Sequence, residues 1–194
     1  MPHRHHLFVL IVSAHRGYPR WVNSGADFIE IDVRRNADGV YVISHDELQP
    51  GTEHPTLDEA LDAAAGRVGI QLDLKENGDD LEVVRAALGK CPANRLAVTS
   101  GFSESVRAIK DRFPGVKAGL TRQHVEETDA DFIALDQSYA TDEALDFCSR
   151  SAIPVWVWTV DERKLMERFI KDKRIAGIIT NRPDLALRLR RDRS

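Results

Sequence analysis

The chain has 194 residues, 42% of them hydrophobic and 30% charged, with a formal net charge of −4 at pH 7. This is ordinary globular composition and enough chain for a full hydrophobic core, so one domain over residues 1–194 is expected. The slightly acidic balance argues against a nucleic-acid partner, and no apolar run approaches the roughly 20 residues of a membrane span. Cys91 and Cys148 stand far apart, without metal-ligand spacing, and read as reduced structural thiols in a cytoplasmic protein.

In chain order, PHRHH reads as a solvated end. HLFVLIVSA (6–14) reads as a buried first strand rather than a signal core, because cleavage after Ser13-Ala14 would damage the HRG that follows. FIEIDV (28–33) reads as a second strand. Asp38-Gly39 then turns the chain into YVISH (41–45), the return arm of a hairpin. TLDEALDAAAG (56–66) predicts a helix with a Thr cap, a Glu three residues later and a stop at Gly66. VGIQLDLK (68–75), RLAVTS (95–100), VKAGLT (116–121), FIALD (132–136), PVWVWTV (154–160) and GIIT (177–180) predict further strands. DDLEVVRAALGK, SESVRAIKDRF, DEALDFCSRSA and DERKLMERFIKDK have helical spacing, each after a capping Asp or Ser. The closing RLRRDRS reads as a solvated helix end.

With YVISH as a hairpin arm, eight strands remain and alternate with helices, apart from two short connections. That pattern describes a single α/β (β/α)8 TIM barrel. An open doubly wound sheet is the alternative, but no Gly-rich nucleotide loop follows the first strand.

Residues two apart on a strand face one side, so Glu30 points with Asp32, and Asp73 with Lys75. In a barrel the C-terminal strand ends open onto the active site, and His15-Arg16, Glu30, Asp32, Asp73 and Lys75 are expected to meet there. Alone, E-x-D on a strand is usually half of a surface salt-bridge ladder, and His beside Asp is usually a satisfied pair. Their order on successive strand ends makes that coincidence less economical than a shared site. Three carboxylates held close repel one another and raise their pKa values. A divalent cation resolves this, and an all-oxygen set favours Mg2+ or Ca2+ over Zn2+. Arg16 and Lys75 suit a phosphate, and His15 and His45 can act as acid and base near neutral pH. Together they suggest phosphodiester cleavage.

AHRG, GADFIEIDV, DGVYVISHD, LDLK, VWVWTV and GIITNRPD resemble, in order, the signature blocks of the glycerophosphodiester phosphodiesterases, over about His15 to Asp184. The resemblance implies that Glu30, Asp32 and Asp73 bind the metal, that His15 and His45 are the acid–base pair, and that Arg16 and Lys75 hold the phosphate. Trp158 would line the pocket or pack in the core, and its neighbour Trp156 cannot be separated from it by pattern. The implied reaction is hydrolysis of a small-molecule glycerophosphodiester to an alcohol and glycerol 3-phosphate. In it a glycerol hydroxyl attacks phosphorus, and water opens the cyclic phosphate.

The chain also departs from that family. Only YPRWVNSGAD (18–27) separates HRG from E-x-D, so the first helix is absent or reduced to a turn. ELQPGTEHP (47–55) stands where the family inserts a subdomain that binds the alcohol. Asp73 stands where the family usually has Glu, as in the related sphingomyelinase D-type phospholipases of the same barrel. That keeps open a phospholipase D-like lyase acting on lysophospholipid or sphingomyelin and forming a cyclic phosphate. Tyr18 and Trp21 are its only candidates for an exposed apolar rim. A non-catalytic barrel that binds a phosphorylated ligand is the third reading.

Overall fold

The computed structural model describes residues 9–192; PHRHH, the start of the first expected strand and the last two residues lie outside it. Nine strands and six α-helices follow in order: β1 (Ile11–Ala14), β2 (Phe28–Arg35), β3 (Tyr41–Ile43), α1 (Leu57–Ala64), β4 (Gly69–Leu74), α2 (Asp80–Leu88), β5 (Leu96–Ser100), α3 (Ser103–Arg112), β6 (Lys117–Arg122), β7 (Phe132–Asp136), α4 (Asp142–Arg150), β8 (Val155–Trp158), α5 (Arg163–Lys171), β9 (Ile175–Thr180) and α6 (Pro183–Asp192). Eight strands are parallel, and β1 pairs with both β2 and β9, which closes the sheet into a barrel. β3 pairs antiparallel with β2 and stands outside the ring. This is the (β/α)8 architecture, with no helix between β1 and β2 or between β6 and β7. Among the described residues, no helix is long and apolar enough to cross a membrane.

Two apolar clusters build the barrel. The larger lies between the strands and the surrounding helices. The smaller fills the barrel's interior with Phe28, Ala97, Phe132, Ala134, Trp156 and Ile179. There Phe132 stacks on Trp156 with centroids 4.2 Å apart, and Phe28 tilts against it at 5.7 Å. These rings fit because Gly119 and Gly177 face them: a Cβ on Gly119 would overlap the Phe132 ring, and one on Gly177 the Trp156 ring. The aromatic floor fills one part of the interior and leaves the polar strand ends as the mouth.

The hairpin turns as expected, with Gly39 at φ +81° and Asn36 accepting from the backbone N–H groups of Asp38 and Val40. β3 ends before His45, which sits in the following loop. Thr56 and Glu59 form the expected capping box, and Gly66 takes a left-handed φ of +71° just beyond α1. The other expected caps are corrected: Thr141 caps α4, while α2, α3 and α5 have no side-chain cap bond. The basic tail is not wholly solvated either. Arg190 on α6 bonds Asp27 and the Leu10 carbonyl, and Asp27 accepts from Val12 N–H, so the last helix is tied to the first strand. Tyr18 and Trp21 do not form an exposed rim; both pack against the outer core. Gly119→Ala should cost about 1–3 kcal/mol of stability through overpacking of the floor, measured by urea unfolding. An unchanged midpoint would show that the floor has room to spare.

Candidate active site

The site grows from strand register. β2 and β4 run side by side with Asp32 opposite Asp73 and Glu30 opposite Gln71, so alternate side chains of both strands point into the barrel together. Glu30 is 4% exposed and Asp32 3%. One carboxylate oxygen from each of Glu30, Asp32 and Asp73 lies within 4.8 Å of the others. Lys75 reaches across, its Nζ 2.7 Å from Asp32 Oδ1 and 2.5 Å from Asp73 Oδ2. The Arg16 guanidinium stands 3.5 Å from Asp32 Oδ2, and the Arg16 backbone N–H donates to Glu30 Oε2 at 2.9 Å. That amide is aimed by a tight turn after β1. Arg16 has a φ of +46°, and a Cβ on Gly17 would press against Ile29 and the Ala14 carbonyl, so the glycine of AHRG serves close packing.

The two imidazoles have different supports. His15 Nδ1 lies 2.9 Å from Asn181 Oδ1. Asn181 Nδ2 donates to Asp161 Oδ2 at 2.7 Å, which leaves its carbonyl oxygen facing the ring. A carbonyl only accepts, so His15 carries its proton on Nδ1 and keeps Nε2 as the bare nitrogen. Burial pushes His15 below its ordinary value, against the Asn181 hydrogen bond, which favours the charged form. His45 Nδ1 instead donates to the exposed Asp46 carboxylate at 2.7 Å, and that bond lowers the Asp46 pKa. The His45 loop is held from beneath by Arg34, which donates to the His45 carbonyl and to Glu76.

The carboxylate cluster carries stored repulsion. Burial raises the Glu30 pKa well above its ordinary value, and the charges of Asp32 and Asp73 raise it further. Burial works against the Lys75 ammonium, but Asp73 and Asp32 more than compensate and hold its pKa above the usual value. The donor set fits a hard divalent cation. A metal with metal–oxygen distances of about 2.1–2.5 Å holds its oxygens no more than roughly 5 Å apart, and the three carboxylates meet that limit, with one oxygen from each within 4.8 Å of the others.

All eight residues singled out from the sequence line one cavity of about 230 Å³ at the C-terminal ends of the strands. Trp158 lies on its wall with its indole N–H on the Ala134 carbonyl, whereas Trp156 belongs to the aromatic floor. Sequence reasoning missed Asn181 and Asp161, which orient His15, and Thr99, which donates to Asp73, whereas Asp46 forms the hydrogen-bonding pair with His45 that the SHD run suggests. Only Asp46, adjacent to His45, carried a local signal. No helix stands between β1 and β2, and residues 47–55 form a short loop without a helix or strand between β3 and α1.

A carboxylate triad, two oriented imidazoles and two cations at a barrel mouth define the class of (β/α)8 enzymes equipped for phosphate esters. The comparisons sharpen this. Residues 17–128 match the model of the glycerophosphoryl diester phosphodiesterase family, and the chain belongs to that family. A glycerophosphodiester phosphodiesterase from Caldanaerobacter subterraneus subsp. tengcongensis is 24% identical, covering 92% of this chain and 97% of that protein. Its alignment runs over 236 positions, more than this chain has residues, so the relative carries segments absent here. A glycerophosphodiester phosphodiesterase structure from Parabacteroides distasonis superposes with a TM-score of 0.78 at 21% identity, covering 95% of this chain and 98% of that one. An Oleispira antarctica phosphodiesterase, in complex with the product sn-glycerol-3-phosphate, gives 0.78 at 18% identity, covering 94% and 97%.

The Glu30 shift sets a pH dependence. Because its folded-state pKa lies above the unfolded value, the cation-free protein loses stability as pH rises past 4.5 and through the raised value. Added Mg2+ or Ca2+ should therefore raise the thermal midpoint more at about pH 8 than at about pH 5. Glu30→Gln should abolish most of that gain, and should leave the cation-free protein at neutral pH about 1–2 kcal/mol more stable. A wild-type midpoint indifferent to both cations at either pH would refute the assignment.

Proposed function

We propose that the chain hydrolyses glycerophosphodiesters to an alcohol and glycerol 3-phosphate, with Glu30, Asp32 and Asp73 holding one divalent cation, Mg2+ or Ca2+. The observation that carries this reading is the convergence of the triad with two imidazoles whose Nδ1 partners differ. When bound, the cation supplies Lewis-acid stabilisation of charge on the phosphoryl oxygens. Arg16 and Lys75 bind and orient the same phosphate. His15 is the base of the first step, because burial keeps it neutral and Nε2 is its free acceptor. It takes the proton of the glycerol hydroxyl as that oxygen attacks phosphorus. The bond from phosphorus to the alcohol oxygen breaks, and His45, oriented by the Asp46 carboxylate on its Nδ1, protonates the leaving oxygen. In the second step His45 takes a proton from water, the water oxygen opens the cyclic phosphate, and His15 returns its proton to the glycerol oxygen.

The test is an activity panel on glycerophosphocholine, glycerophosphoethanolamine and lysophosphatidylcholine, with either cation or with chelator, followed by phosphorus NMR. Cation-dependent release of glycerol 3-phosphate is expected. No turnover on any substrate would sink the reading, and a cyclic phosphate that persists would replace hydrolysis by the lyase reaction. His15→Ala and His45→Ala should each lower kcat by about 10²–10⁴-fold. The acid limb of kcat/KM should lie below 6.5, the ordinary imidazole value, because the base is a His15 with a lowered pKa. An acid limb above that value would assign the base elsewhere.

A further inference from the structure

Beneath the carboxylate triad the barrel buries three polar side chains that the reaction steps do not use. Ser13, Gln71 and Thr99 are 0%, 1% and 1% exposed, in an interior otherwise filled by aromatic and small apolar groups. They form a line of hydrogen bonds. Ser13 Oγ donates to Gln71 Oε1 at 2.7 Å, Gln71 Nε2 donates to Thr99 Oγ1 at 3.4 Å, and Thr99 Oγ1 donates to Asp73 Oδ1 at 2.7 Å. The polarity of this line is fixed at its end, since an ionised carboxylate only accepts. Thr99 must therefore spend its single proton on Asp73, which requires a donor, the Gln71 amide nitrogen, on its other side. Gln71 then turns its carbonyl to Ser13. Strand register makes the line possible: Thr99 on β5 is directly opposite Asp73 on β4, and Gln71 lies two residues before Asp73 on the same face.

The two oxygens of Asp73 are thereby divided. Oδ1 accepts from Thr99 at 2.7 Å and, at the longer distance of 3.5 Å, from Thr121, and Oδ2 pairs with Lys75. A carboxylate on a short side chain turns easily about its terminal torsion, which has no sharp rotamer wells. We propose that Thr99, oriented by Gln71 and Ser13, is the positioning residue that locks this torsion and fixes how Asp73 faces Glu30 and Asp32, so that part of the site's cation affinity would reside in a buried line of hydrogen bonds behind the carboxylates. The proposal rests on the reading of Glu30, Asp32 and Asp73 as the cation site.

The experiment is calorimetric titration of metal-stripped protein with Mg2+ and with Ca2+. It compares wild type, Thr99→Val, Thr99→Ser, and the triple variant Ser13→Ala/Gln71→Leu/Thr99→Val. The triple variant replaces the whole line with apolar groups, so no hydroxyl or amide of the line is left unpaired, and Asp73 keeps Lys75 and Thr121 as donors; its unfolding midpoint should stay near that of wild type. The dissociation constant should rise about 10–100-fold in both Val-containing variants, the usual loss for an outer-shell partner, and return to within about threefold of wild type with Ser. Wild-type affinity in a folded Val-containing variant would overturn the proposal while leaving the cation site standing. So would a Ser variant as weak as the Val one. A wild-type protein that binds neither cation would remove the cation site itself, and this inference with it.

Discussion

Three carboxylates share one small volume at the mouth of a closed barrel, and most of the surrounding structure answers their mutual repulsion. Glu30 and Asp32 are almost fully buried, so water cannot screen them. Lys75 bridges two of the three, Arg16 brings a guanidinium to Asp32 and a backbone N–H to Glu30, and Thr99 donates to Asp73. Each is a partial answer, because Glu30 remains pushed toward its protonated form. A site left under such tension could hold a metal ion, whose positive charge would relieve the repulsion.

The closed sheet makes that tension sustainable. An isolated hairpin with the sequence FIEIDV would splay or turn its acids to water. Here β2 is fixed between β1 and β4, and its partners are fixed in turn around the ring. The floor of Phe28, Phe132 and Trp156 fills the interior below, so the strands cannot collapse inward to hide the charges. The barrel has two chemically distinct ends, an apolar one that supplies cohesion and a polar one that supplies chemistry, and the same strands serve both by alternating their side chains. The mouth is the part where this chain economises, with a tight turn after β1 and a short loop after His45.

The site was legible in the sequence to the extent that it obeys local periodicity. The spacing of Glu30, Asp32, Asp73 and Lys75 follows from the two-residue repeat of a strand, and Asp38-Gly39 announced the turn that brings the His45 loop back. What escaped depends on residues far apart in the chain. Asn181 meets His15 across 166 positions, and Thr99 meets Asp73 across 26. Trp156 and Trp158 share a strand face, so no pattern could say which belongs to the floor and which to the mouth. The helix caps differ from the sequence pattern for a related reason: Asp and Ser near a helix start satisfy the compositional signal, but only the bend of the preceding chain decides whether a side chain reaches the free amides, as Thr141 does on α4.

By itself the sequence determined the alternation of strands and helices, the faces on which the acids lie, and the inventory of acid, base and cationic groups, because these are consequences of local backbone geometry and side-chain chemistry. Only the tertiary structure decided which groups meet. Closure of β1 onto β2 and β9 sets the stagger of the strands, and the stagger sets the height of each side chain along the barrel. That height separates a floor tryptophan from a wall tryptophan and brings Asn181 to one nitrogen of His15. It also places a buried hydroxyl under Asp73, an arrangement that no local rule of sequence encodes.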